Sequence, residues 1–175
     1  MKNIILTAMK NILDESDKTD PSVLLYWMNL LNKALNEEDW FAKAHAVSFE
    51  KIGRPVVLIE SEVMMSVMQQ YPYKPRAAVF YFNGDNVIIV NSAFMRADKD
   101  IQEPLIAHEI GHLSKDNKYL TEDNARRLDE EIWCDNYAAE IVGKKAMLAM
   151  LCNSQVKNGD DLELDVRIHN MKLSI

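Results

Sequence analysis

The stretch Leu105-Ile106-Ala107-His108-Glu109-Ile110-Gly111-His112-Leu113 decides how this chain is read. Leu105, Ile106, Ile110 and Leu113 recur at helical spacing, so a helix is predicted from Ile101 to Leu113 with these residues on its inner face. On such a helix His108 and His112, four apart, differ by about 40° of rotation and one turn of rise. Both imidazoles then reach a single tetrahedral ion. Glu109 lies between them, where a carboxylate can take a proton from a water that attacks a carbonyl. A buried helix without a function has little reason to carry His, Glu and His on its other face, because polar groups are costly to bury without partners.

A catalytic zinc site takes three protein ligands and keeps one position open, so a third donor is expected downstream. Glu131 is the best candidate. It opens Glu131-Ile132-Trp133-Cys134-Asp135, where the two carboxylates are again four apart and share a helix face. Glu131 is expected to bind metal, while Asp135 accepts the N–H of one histidine and fixes its tautomer. The bland alternative is a pair of solvated acids. The apolar character of the rest of that helix, with Ile132, Trp133, Ala138 and Ile141, argues against it. Cys134, three residues after Glu131, is either a further ligand or a small buried hydrophobe, and the second is expected.

Upstream, apolar periodicity predicts helices over Lys2 to Leu13 and Ser22 to Leu35, the second begun by Asp20-Pro21. Gly53-Arg54-Pro55 breaks the helical pattern, and Val56 to Ile59 reads as a strand. Ser61 to Gln70 reads as a further helix, closed by the extended Tyr71 to Pro75. Ala77 to Phe82 and Val87 to Val90 flank Asn83-Gly84-Asp85-Asn86 and predict an antiparallel hairpin. A long helix is expected over Asn124 to Val142, ended by Gly143, with a shorter one through Met150. Met64, Met65, Met68, Met147 and Met150 fall at packing positions and read as core filler. The acidic run from Asp160 to Asp165, broken by Leu162 and Leu164, reads as a loop entering an amphipathic segment, not a calcium loop. The expected fold is α+β. A small, mostly antiparallel sheet packs on the two helices that carry the donors, with additional N-terminal helices around it. One domain over 1–175 is expected, with an N-terminal helical part (1–53), a core (54–152) and a C-terminal segment (153–175).

The chain has 175 residues, 48% of them apolar, enough for a core without disulfides. A formal charge of −7 and no basic cluster argue against a nucleic-acid partner. Two cysteines outside any paired pattern suit a reducing compartment. With neither a signal-like start nor an apolar run of about 20 residues, a cytoplasmic protein with no membrane partner is expected.

Taken in order, these features resemble a known family. Val87-Ile88-Ile89-Val90-Asn91 precedes Leu105-Ile106-Ala107 and the histidine motif. There follow Glu131 to Asp135, continuing as Asn136-Tyr137-Ala138-Ala139-Glu140, then Gly143 before Ala146-Met147-Leu148, and finally Arg167-Ile168. The series resembles the gluzincin zinc metallopeptidases related to the Ste24 and HtpX peptidases, as a soluble minimal form, and more distantly the ImmA/IrrE group. It departs from them in lacking transmembrane helices and in having Asp161-Leu162 where the family often has His-Pro.

The resemblance implies a zincin-like fold and one zinc ion per chain on His108, His112 and Glu131, with Glu109 as general base and a peptide or protein substrate. It also places Val87 to Asn91 as the outer strand along the cleft, with Asn91 as a substrate-binding candidate. Oxyanion stabilisers in this chemistry come from outside the metal helix. Arg167 is the candidate, with Tyr137, Tyr119 and His169 as alternatives. His45 and His169 lack a ligand-spaced partner and read as ordinary residues. The rival expectation is a zinc-stabilised regulatory domain that binds a protein partner without proteolysis, although such a site has no use for Glu109.

Overall fold

The computed structural model describes residues 1–16, 19–36, 39–66, 75–82, 85–114, 124–158 and 161–173. Met1–Ile59 forms one unit of the chain and Glu60–Ile175 a second.

In the first unit, α1 (Lys2–Asp14), α2 (Pro21–Asn36) and α3 (Trp40–Ile52) pack on one another. The start of α2 follows its sequence signal, since the Asp20 carboxylate accepts the Ser22 N–H at 2.8 Å and Pro21 occupies the first turn. Asp39 caps α3 in the same manner, accepting the Ala42 N–H at 3.0 Å. Gly53 ends it with φ of 71°, a left-handed conformation that favours glycine. Buried Ala42, Ala44 and Ala46 on α3 leave room for close helix packing, and Ile5, Leu31 and Val47 fill the centre. β1 (Val57–Glu60) spans the boundary between the units.

The second unit begins with the short α4 (Glu62–Ser66), less than the predicted Ser61 to Gln70, whose last four residues lie outside the described ones. The hairpin is present as β2 (Ala77–Phe82) and β3 (Asp85–Val90), antiparallel, with Ala77 opposite Val90 and Phe82 opposite Asp85. Its turn residues Asn83 and Gly84 are not among the described residues, and neither is most of the Tyr71 to Pro75 stretch.

The three strands form one small sheet in the order β1-β3-β2. This corrects the expectation that Val87 to Asn91 is the outer strand. β3 lies in the middle, and Ile88, Ile89 and Val90 are all fully buried, as suits a strand covered on both faces. Its main-chain groups are already used by neighbours, and the Val90 carbonyl accepts the Ser61 N–H at 2.9 Å.

After the short α5 (Ser92–Met95), four long helices follow: α6 (Lys99–Ser114), α7 (Asn124–Val142), α8 (Lys144–Asn158) and α9 (Leu162–Leu173). Gly143, at φ of 94°, separates α7 from α8. α8 runs well past the predicted Met150. α9 forms where an amphipathic segment was expected, with the Asp161 carboxylate accepting the N–H groups of Glu163 and Leu164. α6 packs against β2, α7 and α8, and α7 packs also against α8 and α9. Met65, Met147 and Met150 are buried in this core, while Met68 lies outside the described residues. The architecture is mixed α+β, with nine helices and three strands among the described residues. Among those residues no helix is long and apolar enough to cross a membrane.

Candidate metal centre

α6 and α7 meet at a glycine. A Cβ on Gly111 would lie 3.1 Å from the Cys134 Cα and 3.2 Å from its Cβ, tighter than most packed side chains, so a larger residue would require Cys134 to give by a few tenths of an ångström. Cys134 is fully buried at the crossing and is a free thiol. The crossing brings one helical turn of α6, His108 to His112, against the turn of α7 from Glu130 to Asp135.

The side chains facing one another are those the sequence singled out. His108 Nε2 lies 3.2 Å from Glu131 Oε2, and His112 Nε2 lies 3.5 Å from Glu131 Oε1. The two Nε2 atoms are 3.2 Å apart. Taken one atom per residue, the donor atoms of His108, His112 and Glu131 all lie within 4.8 Å of one another.

The far side of each imidazole fixes its tautomer. His108 Nδ1 is 2.8 Å from Asp135 Oδ1, and His112 Nδ1 is 3.0 Å from Glu130 Oε1. An ionised carboxylate only accepts, so each Nδ1 carries the hydrogen. The lone pairs are left on the two Nε2 atoms, which face each other and a carboxylate. Three lone-pair donors turned toward one point repel unless a cation or added protons lie between them.

Their spacing suits a metal. Zinc bonds of about 2.0–2.1 Å at tetrahedral angles separate donors by about 3.3 Å. The two Nε2 atoms, 3.2 Å apart, are close to that value, and each faces a different Glu131 oxygen, at 3.2 and 3.5 Å.

The charges nearby are heavily coupled. Burial works against a charged His108, yet bonds to Asp135 and Glu131 outweigh it and push its pKa up to about 10. His112, also opposed by burial, is raised well above its ordinary value by Cys134, Glu130 and Glu131. Burial alone would raise Glu131, but His108, His112 and the Arg167 charge hold its carboxyl well below the usual range. Asp135 is lowered in the same way, its burial offset by His108 and Arg167. Glu109 differs. It is buried beside the histidines, and desolvation raises its pKa against the lowering influence of His112 and His108.

Arg167 joins this group from α9, with every bond directed at a carboxylate. Nε and Nη2 donate to the two Asp135 oxygens at 2.8 Å each, and Nη1 lies 2.8 Å from Glu131 Oε2. In this arrangement the guanidinium braces Asp135 and Glu131, whereas an oxyanion role needs donors turned toward substrate.

The other candidates lie elsewhere. Asn91 is the N-cap of α5, accepting the Phe94 N–H at 3.0 Å and donating to the Pro75 carbonyl at 3.3 Å, so its amide is engaged in local structure. The Tyr137 ring stacks on Trp133 at 5.3 Å. His169 is exposed on α9, and Tyr119 falls outside the described residues. His45 belongs to the first unit, where its ring packs 5.6 Å from that of Trp27 and burial lowers its pKa.

Glu130 is the residue that spacing did not reveal. Helical periodicity points it about 100° away from Glu131, and only its adjacency to a candidate ligand marks it.

No family model matches the chain, and no significant match was found among curated proteins or solved structures.

Proposed function

We propose that the chain is a zincin-like zinc metallopeptidase of the gluzincin type, holding one zinc ion through His108, His112 and Glu131. The observation that carries this reading is the convergence of two imidazole Nε2 atoms and the Glu131 carboxylate, whose donor atoms all lie within 4.8 Å of one another. Charge supports it as well. With both histidines neutral, as metal binding requires, the carboxylates of Glu130, Glu131 and Asp135 outnumber the Arg167 guanidinium, and ionised Glu109 adds to that excess, which favours a cation.

When bound, zinc would supply Lewis acidity and bring the ionisation of a water near neutral pH. The protein's own residues do the rest. Asp135 holds His108 with Nε2 presented, and Arg167 in turn holds Asp135 by two parallel bonds. Glu109 is the proton acceptor. Its raised pKa brings the carboxylate closer to the operating pH, where a general base is most effective, and it then returns the proton to the leaving amine. The substrate is a peptide or protein. The chain's charge of −7 disfavours nucleic acid, and two free cysteines suit the proposed cytoplasmic setting.

Glu109→Gln tests the mechanism. The amide fills the same space and cannot take a proton, so zinc content by mass spectrometry should match the wild type. Cleavage of labelled casein should fall by at least about 100-fold. Wild-type-like cleavage by the variant would sink the assignment of Glu109. A wild-type protein that holds zinc stoichiometrically and cleaves nothing would favour the rival reading of a zinc-stabilised interaction domain.

A further inference from the structure

The two histidines of the candidate centre are held differently. His108 is fixed by Asp135, which is gripped on both oxygens by Arg167, so a chain of three side chains from three helices sets one imidazole. His112 is fixed from its own side by Glu130, at 3.0 Å, in a less buried setting where the two side chains are 19% and 16% exposed. Glu130 and Glu131 are neighbours in sequence yet reach the same imidazole from opposite sides. Glu130 meets Nδ1, and Glu131 lies beyond Nε2. Ring orientation follows from this, because an imidazole bonded at Nδ1 can turn its Nε2 lone pair in only one direction.

We infer that Glu130 is a positioning residue for the metal centre. It holds His112 in the Nδ1–H tautomer with Nε2 toward His108 and Glu131, and it sets how long a bound metal is retained. The inference rests on the proposed metal centre and adds a residue that a reading of three ligands and Asp135 leaves out. A carboxylate accepting the Nδ1–H makes the opposite nitrogen a stronger donor and removes the rotation that would let it go. His112 is bonded by the Glu130 carboxylate and contacted by the Cys134 thiol, neither of them gripped by a guanidinium among the described residues, whereas the Asp135 brace on His108 is itself held by Arg167. His112 is therefore the ligand expected to release first, and Glu130 the group that slows it.

The test compares Glu130→Ala and Glu130→Gln with the wild type in the full chain, using zinc and a chromophoric chelator. Glu130→Ala should weaken zinc affinity by about 10 to 100-fold, mainly through faster release to the chelator. Glu130→Gln should recover most of the loss, because its amide oxygen still accepts from Nδ1–H. Nitrogen-15 spectra of the zinc-loaded protein should show the His112 Nδ1 proton protected from exchange in the wild type and in Glu130→Gln. In Glu130→Ala it should exchange quickly, while the His108 signal stays unchanged. If Glu130→Ala does not fold, the Glu130→Gln spectra and release rate decide alone, and loss of both the protected proton and slow release in that variant would overturn the role as an acceptor. Unchanged affinity and release in a folded Glu130→Ala would overturn the inference and leave the metal centre standing. A wild-type chain that binds no zinc would overturn the metal centre itself, and the inference with it.

Discussion

The helical unit Met1–Ile59 and the α6–α7 crossing both bury polar side chains, and they solve the problem in opposite ways. In the first unit each buried polar group has a local answer. Lys43 lays its ammonium over the Trp40 ring at 4.5 Å, and the Ser48 hydroxyl donates to the His45 carbonyl while accepting the Val56 N–H. At the crossing, ionisable side chains answer one another across three helices. His108, His112, Glu130, Glu131, Asp135 and Arg167 form one bonded set. Removing one member of such a set leaves an uncompensated buried charge, which costs about 3–5 kcal/mol, while a hydrophobic substitute for the whole set is often harmless. Ion clusters of this kind are therefore weak evidence for stability, and stronger evidence for a site that handles protons or cations.

The sharpest way to break that contrast is to remove a ligand and then its brace. Glu131→Ala should weaken zinc binding by more than about 100-fold, whereas Asp135→Asn, which leaves all three donors in place, should lose about 10 to 100-fold. Competition with a chelator ranks the two. The reverse order would exchange the roles of Glu131 and Asp135.

The two regions also differ in what their glycines do. Gly111→Ala forces a methyl against the Cys134 backbone, so it should lower stability by about 1–3 kcal/mol and weaken zinc affinity as the helices part. Gly53→Ala meets nothing within 4 Å but must hold φ of 71°, so it should lose about 1–2 kcal/mol and leave zinc affinity unchanged. Urea denaturation and zinc titration of both variants separate the effects. Equal zinc affinities would show that the close approach at Gly111 does not set the ligand geometry.

The smallest expected effect is in pH. Without metal, His108 has a raised pKa, so its contribution to stability is complete below its ordinary value of 6.5 and is lost as pH rises through about 10. Glu131 and Asp135 have lowered pKa values. Their contributions are complete above the ordinary 4.5 and 3.8 and are lost as pH falls below them. The metal-free protein should therefore have its highest unfolding temperature between about pH 4.5 and 6.5. Zinc needs both imidazoles neutral, so the gain in unfolding temperature on adding zinc should grow as pH rises toward about 10, where His108 loses its proton without metal. Thermal scans with zinc and with a chelator check this. A zinc increment independent of pH would mean that the histidines are not displacing protons.

Elements with a local signal are legible from the residues alone. The hairpin is legible because apolar strands flank a polar turn, α2 because Asp20-Pro21 starts it, and α7 because its periodicity runs from Asn124 to a glycine. The four-residue spacings were enough to select His108, His112, Glu131 and Asp135, since a helix turns such spacings into a shared face. α3 is not legible from periodicity. Trp40, Ala42, Lys43, Ala44, Ala46, Val47 and Ser48 are all buried, nearly all round the helix, and leave no stripe to detect. The order of the strands, and with it the loss of Val87 to Asn91 as an outer edge, depends on pairing between distant segments that no local pattern encodes. Tertiary structure alone turned Arg167 toward Asp135 and Glu131, because α9 must first dock on α7. It alone brought Glu130 to His112, because the α6–α7 crossing at Gly111 places a second carboxylate within reach of an imidazole from a separate helix.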